Sequence, residues 1–219
     1  MEKLYERVVR RFKAVSFDVF DTLLERECDS PEDVFLNVGE RELGKGMGKR
    51  FVLDRVNAEK IALQKKNGEV NLSEIYSSLP CEYDDVKEKL KMKEIEEEIR
   101  VCKLKKKIKE IYDVAISDNK IILLISDMYL PKDVIESILS KNGITGYHSL
   151  YVSNEIGCTK REGSAYEYVL RENNLRSGDI VHIGDSIKAD FLGAIKNGIF
   201  PLLVARKQRL KRFLGQVKL

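Results

Sequence analysis

Between Ala14 and Leu24 the sequence reads A-V-S-F-D-V-F-D-T-L-L, an apolar run that stops at a carboxylate. Ala14, Val15, Phe17, Val19 and Phe20 suit a strand covered on both faces, the pattern of strands inside parallel α/β sheets. The Asp21-Thr22 pair marks a turn where the chain leaves the sheet. Asp18 is thereby delivered to the strand's carboxyl end. A carboxylate there does little for stability, but it can attack phosphorus or carbon and can hold a hard cation.

Three later segments repeat the design. Ile121 to Ser126 (I-I-L-L-I-S) ends in a hydroxyl, and Ile180 to Asp185 (I-V-H-I-G-D) ends in Gly-Asp, with Asp190 five residues further on. A shorter run ends at Ser153, and Lys160 follows in the turn before a helical stretch starting near Gly163. In an open parallel sheet such strand ends share one edge, where ligands bind. A nucleophile, a hydroxyl, a lysine and further carboxylates are therefore expected to converge.

In this order the segments resemble the four motifs of the haloacid dehalogenase (HAD) superfamily: Asp18 to Thr22, Ser126-Asp127, Lys160 with Gly163, and Gly184-Asp185 to Asp190. The resemblance implies an α/β core with a Rossmann-like doubly wound parallel sheet, residues 1–27 and 102–219, and a helical cap inserted at 28–101. It further implies a Mg²⁺-dependent phosphatase acting on a small phosphorylated substrate, with Asp18 as nucleophile and Ser126, Asp127 and Lys160 around the phosphate. The metal would be held by Asp18, the Phe20 carbonyl, Asp185 and Asp190, the last either as a direct ligand or by orienting a water or Lys160. F-D-V-F-D-T-L-L with the later S-D-M-Y-L-P also resembles a HAD subgroup found beside glycosyltransferases in bacterial surface-polysaccharide pathways. That points to a sugar phosphate or a sugar-linked amino-alcohol phosphate.

One position departs from the phosphatase pattern. Most HAD phosphatases resemble D-x-D, whose second Asp protonates the leaving alcohol; here Phe20 stands there. Losing a positioned acid/base typically lowers a rate by roughly 10²–10⁴-fold. Asp21 is the candidate replacement, although regular strand alternation would aim it to the other side. Phe20 keeps three alternatives open: a metal-independent dehalogenase attacking carbon, a phosphonate-cleaving enzyme needing a cap lysine, and a catalytically weak sugar-phosphate-binding module.

Between the first two motifs the chain is charged and helix-periodic. Helices are expected from Ser30-Pro31, with Ser30 as N-cap, over Lys49–Lys66, over Leu72–Ser78, and from Tyr83 to Val101. Arg55 and Glu59 stand four apart on the second; they are candidate substrate contacts, although an i,i+4 ion pair is the simpler account. The core resumes with a helix near Lys103–Ile116, a strand to Ser126, a helix opened by Pro131, a strand at Leu150–Ser153 and a helix at Gly163–Asn173. A strand at Ile180–Ile183, a helix at Ile187–Lys196 and a strand at Ile199–Val204 follow. Tyr129 is placed at the substrate entrance, His182 in the core and His148 on a loop.

The 219 residues, 43% hydrophobic, suffice for one α/β core plus an insertion. A net charge of +3, with 34% charged residues, argues against a dedicated nucleic-acid binder. Cys28, Cys81, Cys102 and Cys158 form no C-x-x-C pair, so neither zinc nor disulfides are expected. The absence of a membrane-length apolar stretch and the charged N-terminus point to a cytoplasmic protein without membrane insertion. The basic tail, with Leu210, Phe213 and Leu214, reads as a packed terminal helix rather than a membrane contact. Monomer and dimer are both left open.

Overall fold

The computed structural model describes residues 2–205. Helix α1 (Glu2–Val9) leads into β1 (Ala14–Phe17) and a short β2 (Leu24–Arg26). Helices α2 (Glu32–Glu42), α3 (Gly48–Lys66), α4 (Leu72–Tyr76) and α5 (Lys87–Val101) come next, then β3 (Cys102–Leu104) and α6 (Lys106–Ser117). The remainder alternates: β4 (Ile121–Ser126), α7 (Lys132–Lys141), β5 (Ser149–Val152), α8 (Ser153–Ile156), α9 (Ser164–Glu172) and β6 (Ile180–Gly184). A π-helical turn (Ile187–Leu192), α10 (Gly193–Lys196) and β7 (Phe200–Leu203) complete it.

The five longer strands form one parallel sheet in the order β5-β4-β1-β6-β7. Strand alternation divides its side chains between two apolar layers. Val15, Phe17, Ile122, Leu124, Val181 and Ile183 pack into one, with Ile111, Tyr112 and Ile135 from α6 and α7. Ala14, Leu123, Ile125 and Ile180 pack into the other, with Tyr166, Val169 and Ala194 from α9 and α10. Covering both faces makes the sheet doubly wound, and burying one such side chain contributes about 1.5–3 kcal/mol. The connection direction reverses about β1, so a crevice opens where β1, β4 and β6 end.

Helices α2 to α5 pack on one another as an insertion between β2 and β3. These two strands pair antiparallel, Leu24 opposite Leu104, and form a ribbon at the insertion's root. The ribbon corrects the expected helix near Lys103: Cys102–Leu104 is strand, and the helix begins at Lys106. A three-residue strand is too short to show a period of two. Ser30 does not cap α2 through its side chain. Pro31 occupies that position, while the Asp33 carboxylate accepts the N–H groups of Asp29 (2.9 Å) and Ser30 (2.8 Å). The helix expected from Tyr83 starts at Lys87, after a separate 3₁₀ turn at Cys81–Tyr83. Ser153 opens α8 instead of closing β5, and the helix expected from Ile187 begins as a π turn. The basic tail lies outside the described residues. All four cysteines are free.

Candidate active site

Asp18 follows β1 directly, and its backbone N–H extends the ladder to the Ile183 carbonyl at 2.9 Å. Four elements bring their polar ends to it. Ser126 closes β4 and is buried, Asp185 follows β6, Asp190 sits in the π turn, and Lys160 lies in the loop between α8 and α9. The Lys160 ammonium donates to Asp18 Oδ1 at 2.5 Å and to Asp190 Oδ1 at 2.7 Å. Asp127 fixes the lysine's backbone, its carboxylate accepting the Lys160 N–H at 3.0 and 3.1 Å.

Asp190 is held from every side. Its Oδ2 accepts the Ser186 N–H at 2.8 Å, and its Oδ1 also meets His182 Nε2 at 3.2 Å. An ionised carboxylate can only accept, so Nε2 carries the imidazole proton and Nδ1 accepts the Ser16 hydroxyl at 2.8 Å. Burial lowers the His182 pKa, which keeps that imidazole neutral. Burial would raise the Asp190 carboxyl, but Lys160 and His182 outweigh it and hold it below the ordinary range. Burial likewise opposes charge on Lys160, and the Asp18 and Asp190 carboxylates override it, so the ammonium persists. Asp18 is pushed upward, first by burial and then by Asp190 and Asp185, with Lys160 opposing.

The donor set fits a hard divalent cation. One carboxylate oxygen from each of Asp18, Asp185 and Asp190 lies within 4.8 Å of the others. Asp18 Oδ2 is buried without a hydrogen-bond partner, an arrangement that is costly unless something positive meets it. All-oxygen ligation suits Mg²⁺.

A cavity of about 520 Å³ lies above these groups, walled on its far side by Phe35, Val56, Glu59 and Leu63 of α2 and α3. Phe20, Asp21 and Tyr129 line it, as do Ser126, Asp127 and Lys160. Asp21 adopts φ +62°, because the strand has ended at Phe17 and the alternation that would aim the residue away no longer applies. Arg55 is absent from the lining. It is fully buried, its guanidinium gripping Glu94 through two 2.8 Å bonds and Glu59 at 3.1 Å. The rings of Phe35 (4.6 Å) and Tyr129 (4.8 Å) enclose it. His148 is an exposed loop residue whose Nδ1 accepts the Ile122 N–H at 3.0 Å.

A protein-family model described as HAD-hydrolase-like matches residues 157–211. No curated protein matches the sequence. Among solved structures, the HAD-hydrolase YfnB from Bacillus subtilis, bound to magnesium, superposes with a TM-score of 0.66 at 13% identity, over 93% of this chain and 99% of that one. A 2-haloacid dehalogenase from Pseudomonas syringae pv. tomato gives 0.65 at 13% identity, over 94% and 99%. The chain has the HAD-like fold. A third HAD-like structure, the enzyme bt-2542 from Bacteroides thetaiotaomicron in complex with magnesium and inorganic phosphate, gives 0.62 at 13% identity, over 90% and 96%.

Several groups around this HAD-like crevice were not legible in the sequence. Arg26 lines the cavity and pairs bidentately with Glu98 (2.9 to 3.2 Å) while covering the Phe20 ring at 4.8 Å. Glu69, from the insertion, accepts the Ser153 hydroxyl at 2.5 Å, and Ser153 Oγ in turn accepts the Met128 N–H at 3.1 Å. The insertion thus grips the loop that carries Ser126 and Asp127. Arg26 and Glu98 stand far apart in sequence inside charged runs, where nothing distinguishes a buried pair from a solvated face.

Proposed function

We propose that this chain is a Mg²⁺-dependent phosphatase that hydrolyses a small phosphorylated metabolite through an aspartyl-phosphate intermediate. The observation that carries the reading is Lys160, whose ammonium joins Asp18 to Asp190 inside a three-carboxylate cluster. Two carboxylates and a phosphate can share one cavity only with such a cation present. Asp18 attacks phosphorus in line with the leaving oxygen. Ser126 donates its hydroxyl to a phosphoryl oxygen, assisted by the backbone N–H groups near Val19 and Asp127. Lys160 neutralises charge shared by Asp18 and the phosphoryl group. Asp18, Asp185 and the Phe20 carbonyl would hold Mg²⁺, which when bound supplies further charge neutralisation on the phosphoryl oxygens. Asp190, already engaged by Lys160, His182 and Ser186, orients the lysine. α2 to α5 act as a cap that excludes water, and Glu59 of α3 selects substrate together with Tyr129 from the loop after β4. Arg55 acts behind them, as the buried anchor of Glu59 and Tyr129. The cavity is of a size for a sugar phosphate or a sugar-linked amino-alcohol phosphate, the class assigned here, with a role in surface-polysaccharide synthesis.

Asp18→Asn should abolish phosphate release while the circular-dichroism spectrum and melting transition stay those of a folded protein. Full activity in that variant would remove the nucleophile assignment. Phe20 favours a second reading, C–halogen hydrolysis, because attack on carbon needs no leaving-group acid. Release of halide from 2-haloacids, unaffected by chelating Mg²⁺, would decide for it. Binding of phosphorylated sugars without turnover would decide for a binding module.

A further inference from the structure

Resting on the phosphatase reading, we propose that this site releases its leaving group as an anion beside Arg26 and therefore acts on phosphate carried by an acidic oxygen. Anomeric sugar phosphates, acyl phosphates and pyrophosphates belong to that class; primary-alcohol esters do not, which narrows the reading above to sugar 1-phosphates and removes the amino-alcohol esters from it. In-line attack by Asp18 sends the leaving oxygen away from the strand ends and into the half of the cavity next to the insertion. Phe20, two residues beyond the nucleophile, lines this cavity with a ring that cannot give a proton. Over the ring lies the Arg26 guanidinium, its side chain only 8% exposed. Glu98 engages Nε and Nη2, and Nη1 takes no part in that pair. Of the other lysines and arginines in the lining, Lys160 is committed to Asp18 and Asp190, while Lys60 and Arg161 are exposed.

Arginine stays charged, so it stabilises an oxyanion without protonating it. The chemistry balances without an acid. An Asp18 oxygen bonds to phosphorus as the P–O bond to the leaving group breaks, its electron pair departing on that oxygen. Water then attacks phosphorus, the bond to Asp18 breaks, and both water protons leave on dihydrogen phosphate. Only leaving oxygens that are stable as anions pass the first step quickly.

The test uses the full chain with Mg²⁺ and measures phosphate release from aryl phosphates of graded phenol acidity, acetyl phosphate, glucose 1-phosphate and glucose 6-phosphate. The expected kcat/KM falls steeply as the phenol weakens, and the 1-phosphate exceeds the 6-phosphate by about 10²-fold. Replacing Arg26→Gln and Glu98→Gln together, so that neither charge is stranded, should lower turnover of the acidic substrates about 10²-fold and steepen the dependence. Asp21→Asn should leave the slope where it was. A shallow slope, or one that steepens in Asp21→Asn, would overturn the inference and make Asp21 the proton donor, with the phosphatase reading intact. No release from any of these substrates would bring down both. If the double variant does not fold, the wild-type and Asp21→Asn slopes decide alone.

Discussion

Gly184 and Gly193 matter for the space they leave. A β-carbon on Gly184 would stand 2.3 Å from Asp190 Cγ, and one on Gly193 would stand 2.2 Å from the Lys160 carbonyl oxygen. Each backbone approaches the group it serves as closely as a missing side chain permits. Gly184→Ala should therefore turn Asp190 away and release Lys160. Over-packing of this kind costs about 1–3 kcal/mol, visible as a lower urea midpoint. A misplaced positioning group of this kind lowers turnover by about 10²-fold, visible in phosphate release at saturating substrate. Residue-scale reasoning from sequence singled out Asp18, Ser126 and Asp185, because an apolar run that ends in a polar group shows itself, and Lys160 and Asp190 through the motif resemblance. It placed the turn at Asp21-Thr22 but, from strand alternation, aimed Asp21 to the other side, whereas the left-handed conformation of Asp21 leaves it in the cavity lining.

At the scale of elements, α5 is the instructive case. Its sequence, K-E-I-E-E-E-I-R, reads as a solvated face, yet Glu94, Glu97 and Glu98 are all buried. Each meets arginine: Glu94 meets Arg55, Glu97 meets Arg41 and Arg100, and Glu98 meets Arg26. Breaking one such pair strands a charge, at a cost of about 3–5 kcal/mol, whereas replacing both partners is far milder. Arg55→Met should destabilise the chain by that amount in chemical denaturation, and Arg55→Met with Glu94→Met should recover most of it. Hydrogen bonding from Arg100, then from Asn37, with Arg41 nearby, holds the Glu97 carboxyl down at about 2, against an ordinary value of 4.5. A depressed carboxyl gives stability that is complete above its unfolded pKa and lost as pH falls through the folded one. Glu97→Gln should therefore lower the melting temperature at neutral pH, and its deficit should shrink from pH 4.5 to pH 2. A deficit constant across that window would refute the assignment.

Across the whole molecule, the parallel sheet is what gathers the site. Asp18, Ser126 and Asp185 are separated by tens of residues and meet because parallel strands place their carboxyl ends on one edge, where Asp127 holds the loop that carries Lys160. No helix among the described residues is long and apolar enough to cross a membrane. A cation that binds the folded chain and not the unfolded one adds stability, about 2.7 kcal/mol at a hundred times its dissociation constant. Millimolar Mg²⁺ should raise the melting temperature of the wild-type chain, and the rise should vanish in Asp185→Asn. The sequence on its own pointed to a parallel sheet, to the order of its strands along the chain and to the polar groups that follow β1, β4 and β6, since burial and alternation are local patterns; the doubly wound arrangement was implied by the motif resemblance. Tertiary structure alone decided the ribbon at β2 and β3, the Arg26–Glu98 pair over Phe20 and the burial of Arg55 on Glu94. In each of these the partners lie on different elements, and the hydrogen bonds and charge attraction that offset their desolvation form only when those elements pack, which no single stretch of sequence records.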